Sequence, residues 1–136
     1  MKKFLCIICL IITSTASADN TAVATETCAN EAGTIITGAV TEYKYCLSKS
    51  FMDWFNAMSW CDALGRQLFS LSECKCSNTV SDCREICPEL IGSNVNSAWT
   101  QTRLTTSLSA HAIVHLQTGT IKDYSLHHNF HRALCK

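Results

Sequence analysis

The stretch YCLSKSFMDWFNAMSWCDALGRQL, residues 45–68, decides the fold. It opens inside an extended run, VTEYKYCL (40–47), whose Val, Thr and Tyr side chains favour a strand. TIIT (34–37) has the same character, and Gly38 lies between the two runs, so residues 34–47 read as two short strands around a turn. A helix follows. Ser50 with Asp53 three positions on has the spacing of a capping box, and Trp54, Phe55, Met58, Cys61 and Leu64 recur at helical spacing. Gly65 supplies the left-handed residue on which helices stop. Trp54, Phe55 and Trp60 cannot all face one core, so one of them is expected at the surface or over the N-terminal hairpin. Residues 67–69 are briefly extended, and Ser70 with Glu73 offers a second cap.

Upstream, Lys2 and Lys3 precede nine apolar residues, FLCIICLII (4–12), and a small-residue tail ends in Ala16-Ser17-Ala18. A charged start, a short apolar run and a small-residue site are the parts of a secretory signal, and the run falls well short of the roughly 20 residues that span a bilayer. Cleavage is expected after Ala18, removing Cys6 and Cys9. No second apolar run follows, so the expected product is exported without a membrane span, to the medium, the cell surface or a periplasm. Residues 19–27, DNTAVATET, read as a flexible leader, and residues 28–136 as one domain.

Composition narrows the function classes. The chain has 136 residues, 11 Lys+Arg against 11 Asp+Glu, and is 47% hydrophobic but only 16% charged. That balance excludes disorder, and with no basic run it excludes a nucleic-acid partner held by phosphate neutralisation. Eight cysteines remain beyond the signal: Cys28, Cys46, Cys61, Cys74, Cys76, Cys83, Cys87 and Cys135. In an oxidising compartment an even count reads as four disulfides, with 105 possible pairings on arithmetic alone. CKCSNTVSDCREIC (74–87) concentrates four of them, and a second helix starting near Ser81 would set Cys83 and Cys87 on one face before Pro88. Residues 98–101, 110–116, 121–126 and 133–135 have strand composition, with QTGT (117–120) as a hairpin turn. The expected class is α+β: two helices with a small twisted antiparallel sheet, stapled by disulfides.

From Tyr45 onward the chain resembles a C-type lectin-like domain. Residues 45–68 are similar to that family's opening strand, first helix and Gly-x-x-Leu; Ala98-Trp99-Thr100 resembles its central strand; Arg132-Ala133-Leu134-Cys135 resembles its closing strand. The resemblance implies bridges Cys61–Cys135 and, as in longer members, Cys28–Cys46. The family's second core bridge has no counterpart, because no Cys lies between Cys87 and Cys135. Cys74, Cys76, Cys83 and Cys87 are then left to pair among themselves, with the nested scheme Cys74–Cys87 and Cys76–Cys83 preferred to Cys74–Cys83 and Cys76–Cys87. Sugar-binding members hold calcium through Glu-Pro-Asn or Gln-Pro-Asp and Trp-Asn-Asp motifs, since calcium needs several oxygen ligands. None is present, and TQTRLTTSLSAHA (100–112) contains no carboxylate.

Other chemistry finds less support. The clustered cysteines could hold zinc, but Cys-x-Cys is tight for a zinc pair and disulfides suit the compartment. His111 and His115, on one side of a strand, would lie about 13 Å apart, too far to share a metal. His127, His128 and His131 would converge only if their segment turned as a helix, and otherwise read as solvated. No Gly-x-Ser-x-Gly elbow and no paired carboxylates nominate a catalytic residue. No enzyme, metal or cofactor is therefore expected. The implied function is a secreted module that recognises an extracellular protein or glycan without calcium, with Trp99, Arg103 and Leu104 as candidate contacts. Against this, Trp99 occupies a strand position that usually packs into the core. A structural or inhibitory disulfide scaffold is the alternative, and a hydrolase using His127, His128 or His131 a third.

Overall fold

A computed structural model describes residues 26–74, 86–103 and 109–136 of the chain. The expected signal segment, the helix expected near Ser81, the Cys76–Cys83 bridge and Leu104 lie outside the described residues. Six strands form one sheet: β1 (Gly33–Thr37), β2 (Lys44–Met52), β3 (Ser97–Trp99), β4 (Ala110–His115), β5 (Ile121–Leu126) and β6 (His131–Cys135). Their order across the sheet is β1-β2-β6-β3-β4-β5. Among the described residues two α-helices, a short one at 26–30 and α1 (Trp54–Ala63), and two 3-10 turns, Leu71–Glu73 and Pro88–Leu90, complete an α+β fold, as expected in class, although the short helix precedes the sheet.

The sheet is mixed and not antiparallel throughout as expected. β6 runs antiparallel to β2 but parallel to β3. Tight turns impose antiparallel pairing only on strands they join, and β6 lies between two strands to which no turn connects it. β2 also begins later than the sequence suggests. Residues 38–43 are consumed by a turn in which Gly38 N donates to Tyr43 O (2.9 Å), and Val40 N and Thr41 N both donate to Glu89 Oε2 (3.0 Å). The strand then continues through Ser50, so Ser50 caps nothing. Asp53 is itself the cap of α1, its Oδ1 accepting from Asn56 N at 2.8 Å. Gly65 ends the helix with a φ of 66°, the left-handed conformation its position demands. Residues 26 and 27, expected in the leader, already belong to the short helix that carries Cys28.

Two apolar layers sandwich the sheet. On one face Tyr45, Leu47, Ala98, Val114 and Leu134 pack with Phe69, Leu71 and Leu90 from the irregular segments. On the other, Cys46, Trp99, Ile113, Ala133 and Cys135 pack with Ala57 and Cys61 of α1, flanked by Trp54, Met58 and Trp60. Burial on both faces explains why residues 45–48 of β2 are continuously buried instead of alternating. Trp60 covers the N-terminal turn, its Nε1 donating to Glu31 O at 3.3 Å. Three disulfides staple these layers: Cys28–Cys46, Cys61–Cys135 and Cys74–Cys87.

Candidate functional site

Trp99 is a core residue, not a contact. It is fully buried, its Nε1 donates to Met52 O at 2.8 Å, and His131 stands edge-on to its ring at 4.7 Å. A strand in the middle of a sheet buried on both faces leaves an indole nowhere to go but inward. Arg103 is exposed, and its Nε lies 3.4 Å from His111 Nε2. That contact leads to a cluster that the sequence alone did not assemble.

The cluster forms where β2 hands over to α1. Trp54, the first helical residue, stacks on His111 of β4 with centroids 3.9 Å apart and planes within 13°. His127, in the turn after β5, joins the stack at 5.0 Å from Trp54 and 4.8 Å from His111. Phe55 meets His127 edge-on at 5.0 Å. His111 Nδ1 and His127 Nε2 are hydrogen-bonded at 2.8 Å. The backbone of His127 is equally committed: its N donates to Ser109 O (3.0 Å) and its O accepts from Trp54 N (3.0 Å). One residue therefore ties the start of the helix to the approach to β4.

The tautomers follow from Arg103. A guanidinium can only donate, so His111 Nε2 accepts and the proton of neutral His111 lies on Nδ1. That proton is donated to His127 Nε2, leaving the His127 proton on Nδ1. Burial first, then the charge of His127 and then Arg103, push the His111 imidazole down to about 4. Burial, then Arg103 and His128, lower His127 as well. Both rings are neutral at neutral pH, and an added proton has no free lone pair at the interface between them.

Exposed aromatic rings surround this junction. Phe51, at the end of β2, is 50% exposed; Phe55, in the first turn of α1, 61%; Phe130, just before β6, 66%. Met52 pairs with His131 across the β2–β6 ladder, which brings the residues around Phe51 and Phe130 to the same end of the sheet. The Arg132 guanidinium lies over the Phe51 ring, 5.0 Å from its centroid. Arg132 is half-buried, and its Nη1 donates to Ser48 O at 2.7 Å, so the guanidinium is fixed beside the exposed rings, an arrangement suited to contact.

Two further polar clusters serve the scaffold. His131 Nδ1 and Nε2 bond Ser97 Oγ (2.7 Å) and Ser125 Oγ (2.8 Å), and Asn129 Nδ2 donates to Ser125 Oγ (3.0 Å). A serine on a histidine invites comparison with a nucleophile and its base. Ser125 is only 5% exposed, however, and this network links β3, β5 and β6. Glu89 is wholly buried, and its carboxylate accepts from Tyr45 Oη (2.9 Å), Thr41 Oγ1 and the Val40 and Thr41 amides. Burial raises its pKa, but the Thr41, Tyr45 and Val40 bonds outweigh that and hold it below the usual 4.5. Among the described residues no three His, Cys, Asp or Glu side chains are grouped to hold a metal ion.

Sequence reasoning counted His111 and His127 separately, because they are 16 positions apart and only the register of β4 against β5 unites them. A signal for one of the exposed rings was present: Phe130 stands between Asn129 and His131, a lone apolar residue among polar ones at the start of a strand, whereas Phe51 is followed by Met52 and gives no such signal. In comparisons with protein-family models, curated proteins and solved structures, nothing matches this chain.

Proposed function

We propose that the protein is a secreted recognition module of the C-type lectin-like kind, binding an extracellular protein or glycan without calcium. The observation that carries this reading is the group of exposed rings, Phe51, Phe55 and Phe130, gathered at one end of the sheet beside Arg132 and Arg103. Exposed aromatic and guanidinium groups on a rigid frame lose little conformational freedom on binding, which is why such residues dominate interfaces. Phenylalanine has no hydrogen-bonding handle, so the balance of the surface favours a protein partner over a sugar. The lectin-like organisation is supported by the bridge from α1 to β6 and by the β2–β6 ladder, which brings the early and late parts of the domain together.

The test is binding to a glycan array and to immobilised extracellular proteins, each with and without a calcium chelator, for the natural protein and for Phe55→Ser with Phe130→Ser. Binding that persists in chelator and weakens about tenfold or more for each lost ring is the expected result. Binding abolished by chelator, or unchanged in the double variant, refutes the proposal. Concentration-dependent self-association with no ligand on either surface favours the structural scaffold instead.

A further inference from the structure

We infer that the His111–His127 pair makes this recognition surface acid-labile: protonation unfastens the 126–130 turn from α1, so that a ligand held at neutral pH is released in acid. The inference rests on the recognition reading above for its biological meaning, but its physical basis is independent of any ligand.

Each position open to an added proton already accepts a hydrogen bond. A proton on His111 Nε2 would face the Arg103 Nε–H, now 3.4 Å away. A proton on His127 Nε2 would face the His111 Nδ1–H across 2.8 Å. Either one replaces a hydrogen bond by two opposed donors, next to a guanidinium and, on the exposed side, His128. His131 lies behind the same turn, linked to it through Ser125 and Asn129. Among the residues whose side chains are described, no carboxylate hydrogen-bonds either imidazole; Asp53, next to Trp54, accepts from Asn56 with both oxygens.

Relief is available by local opening. The turn is held to α1 by the bond from Trp54 N to His127 O, and to the approach of β4 by the bond from His127 N to Ser109 O. Swinging His127 outward breaks both and exposes the pair to water, where each imidazole regains its ordinary proton affinity. The sign follows from linkage. A histidine whose pKa is depressed in the closed state and ordinary in the open state stabilises the closed state above about 6.5 and loses that stabilisation as the pH falls. For His111, held at about 4, the open population rises about 20-fold between pH 7 and pH 5. Phe55 and Phe130 flank the moving segment, so the opening disperses the surface they form.

The experiment is hydrogen–deuterium exchange of the full, disulfide-bonded chain at pH 7 and pH 5, corrected for the intrinsic pH dependence of amide exchange. Amides in residues 53–56 and 126–130 are expected to exchange about 20-fold faster at pH 5, with β1 and β2 changing far less, and the effect should fall to within twofold in His111→Gln with His127→Gln. Equal acceleration in every strand, no acceleration in the turn, or acceleration that survives the double variant overturns the inference. Should the variant fail to fold, an NMR titration of the natural protein decides. His111 must titrate well below the ordinary range, and a value between 6 and 7 overturns the proposal. Because no ligand enters either measurement, their failure is distinct from failure of the binding assay.

Discussion

Glu89 shows how much one side chain can organise. Its carboxylate gathers three donors from the turn between β1 and β2 and a fourth, Tyr45 Oη, from β2, and Gly38 is a glycine because of it: a Cβ there would come within 1.8 Å of Glu89 Oε1. Gly38→Ala is expected to cost about 2–3 kcal/mol, the overpacking penalty of a site that cannot yield without uncovering a buried charge. Glu89→Gln should cost about 2 kcal/mol, since an amide offers one acceptor oxygen and turns a nitrogen toward donors. Urea midpoints at unchanged slope measure both. The carboxylate is held below its ordinary pKa, so its stabilisation is present above about 4.5 and lost as the pH falls further. Glu89→Gln should therefore lack that acid limb. Nothing in Cys87-Pro88-Glu89 announces this role, because the partners lie more than 40 positions upstream.

At the scale of elements, the existence, apolar positions and stop of α1 were legible for a physical reason, while its cap was placed three residues early. Its apolar positions and its stop are local, so the sequence contains them whole. The error at Ser50 came from the one feature that is not local, the continuation of β2 against β6. The packing of α1 is tied down covalently: Cys61 and Cys135 are 74 positions apart and joined. Cys61→Ala and Cys135→Ala should each lower stability by about 4 kcal/mol, and the double variant by no more than either, since all three remove the same cross-link. Unequal single losses, read from denaturant unfolding, would show that one cysteine has a second role. Peptide mapping without reduction should recover Cys28–Cys46, Cys61–Cys135 and Cys74–Cys87, and we expect Cys76 linked to Cys83 with no free thiol.

Across the whole molecule, strand positions were read well and strand neighbours were not. Composition places β4 and β5 and the turn between them, because Gly119, at φ 70°, is a local requirement. It says nothing of which strand lies beside β6. The candidate site suffered the same way: Arg103 was chosen for its chemistry, and its true neighbours, His111, His127 and Trp54, come from three elements that only the assembled sheet brings together. Trp99 was the reverse case, an aromatic whose chemistry suits an interface and whose strand denies it one.

The insertion of β6 between β2 and β3 has a bearing on how the chain matures. Until residues 131–135 take their place, β1 with β2 and β3 with β4 and β5 are two separate ribbons with no strand in common. Each presents an open edge where β6 belongs, and neither can complete the packing on its two faces. The finished sheet is therefore a keystone construction, in which the strand nearest the end of the sequence locks everything made before it. Contacts this distant in sequence are slow to form, and edges left waiting are adhesive. During synthesis the exposed rims must be kept apart from those of other copies until residues 131–135 arrive, and the Cys61–Cys135 bond, closing at the last residue of β6, then records that the lock has engaged.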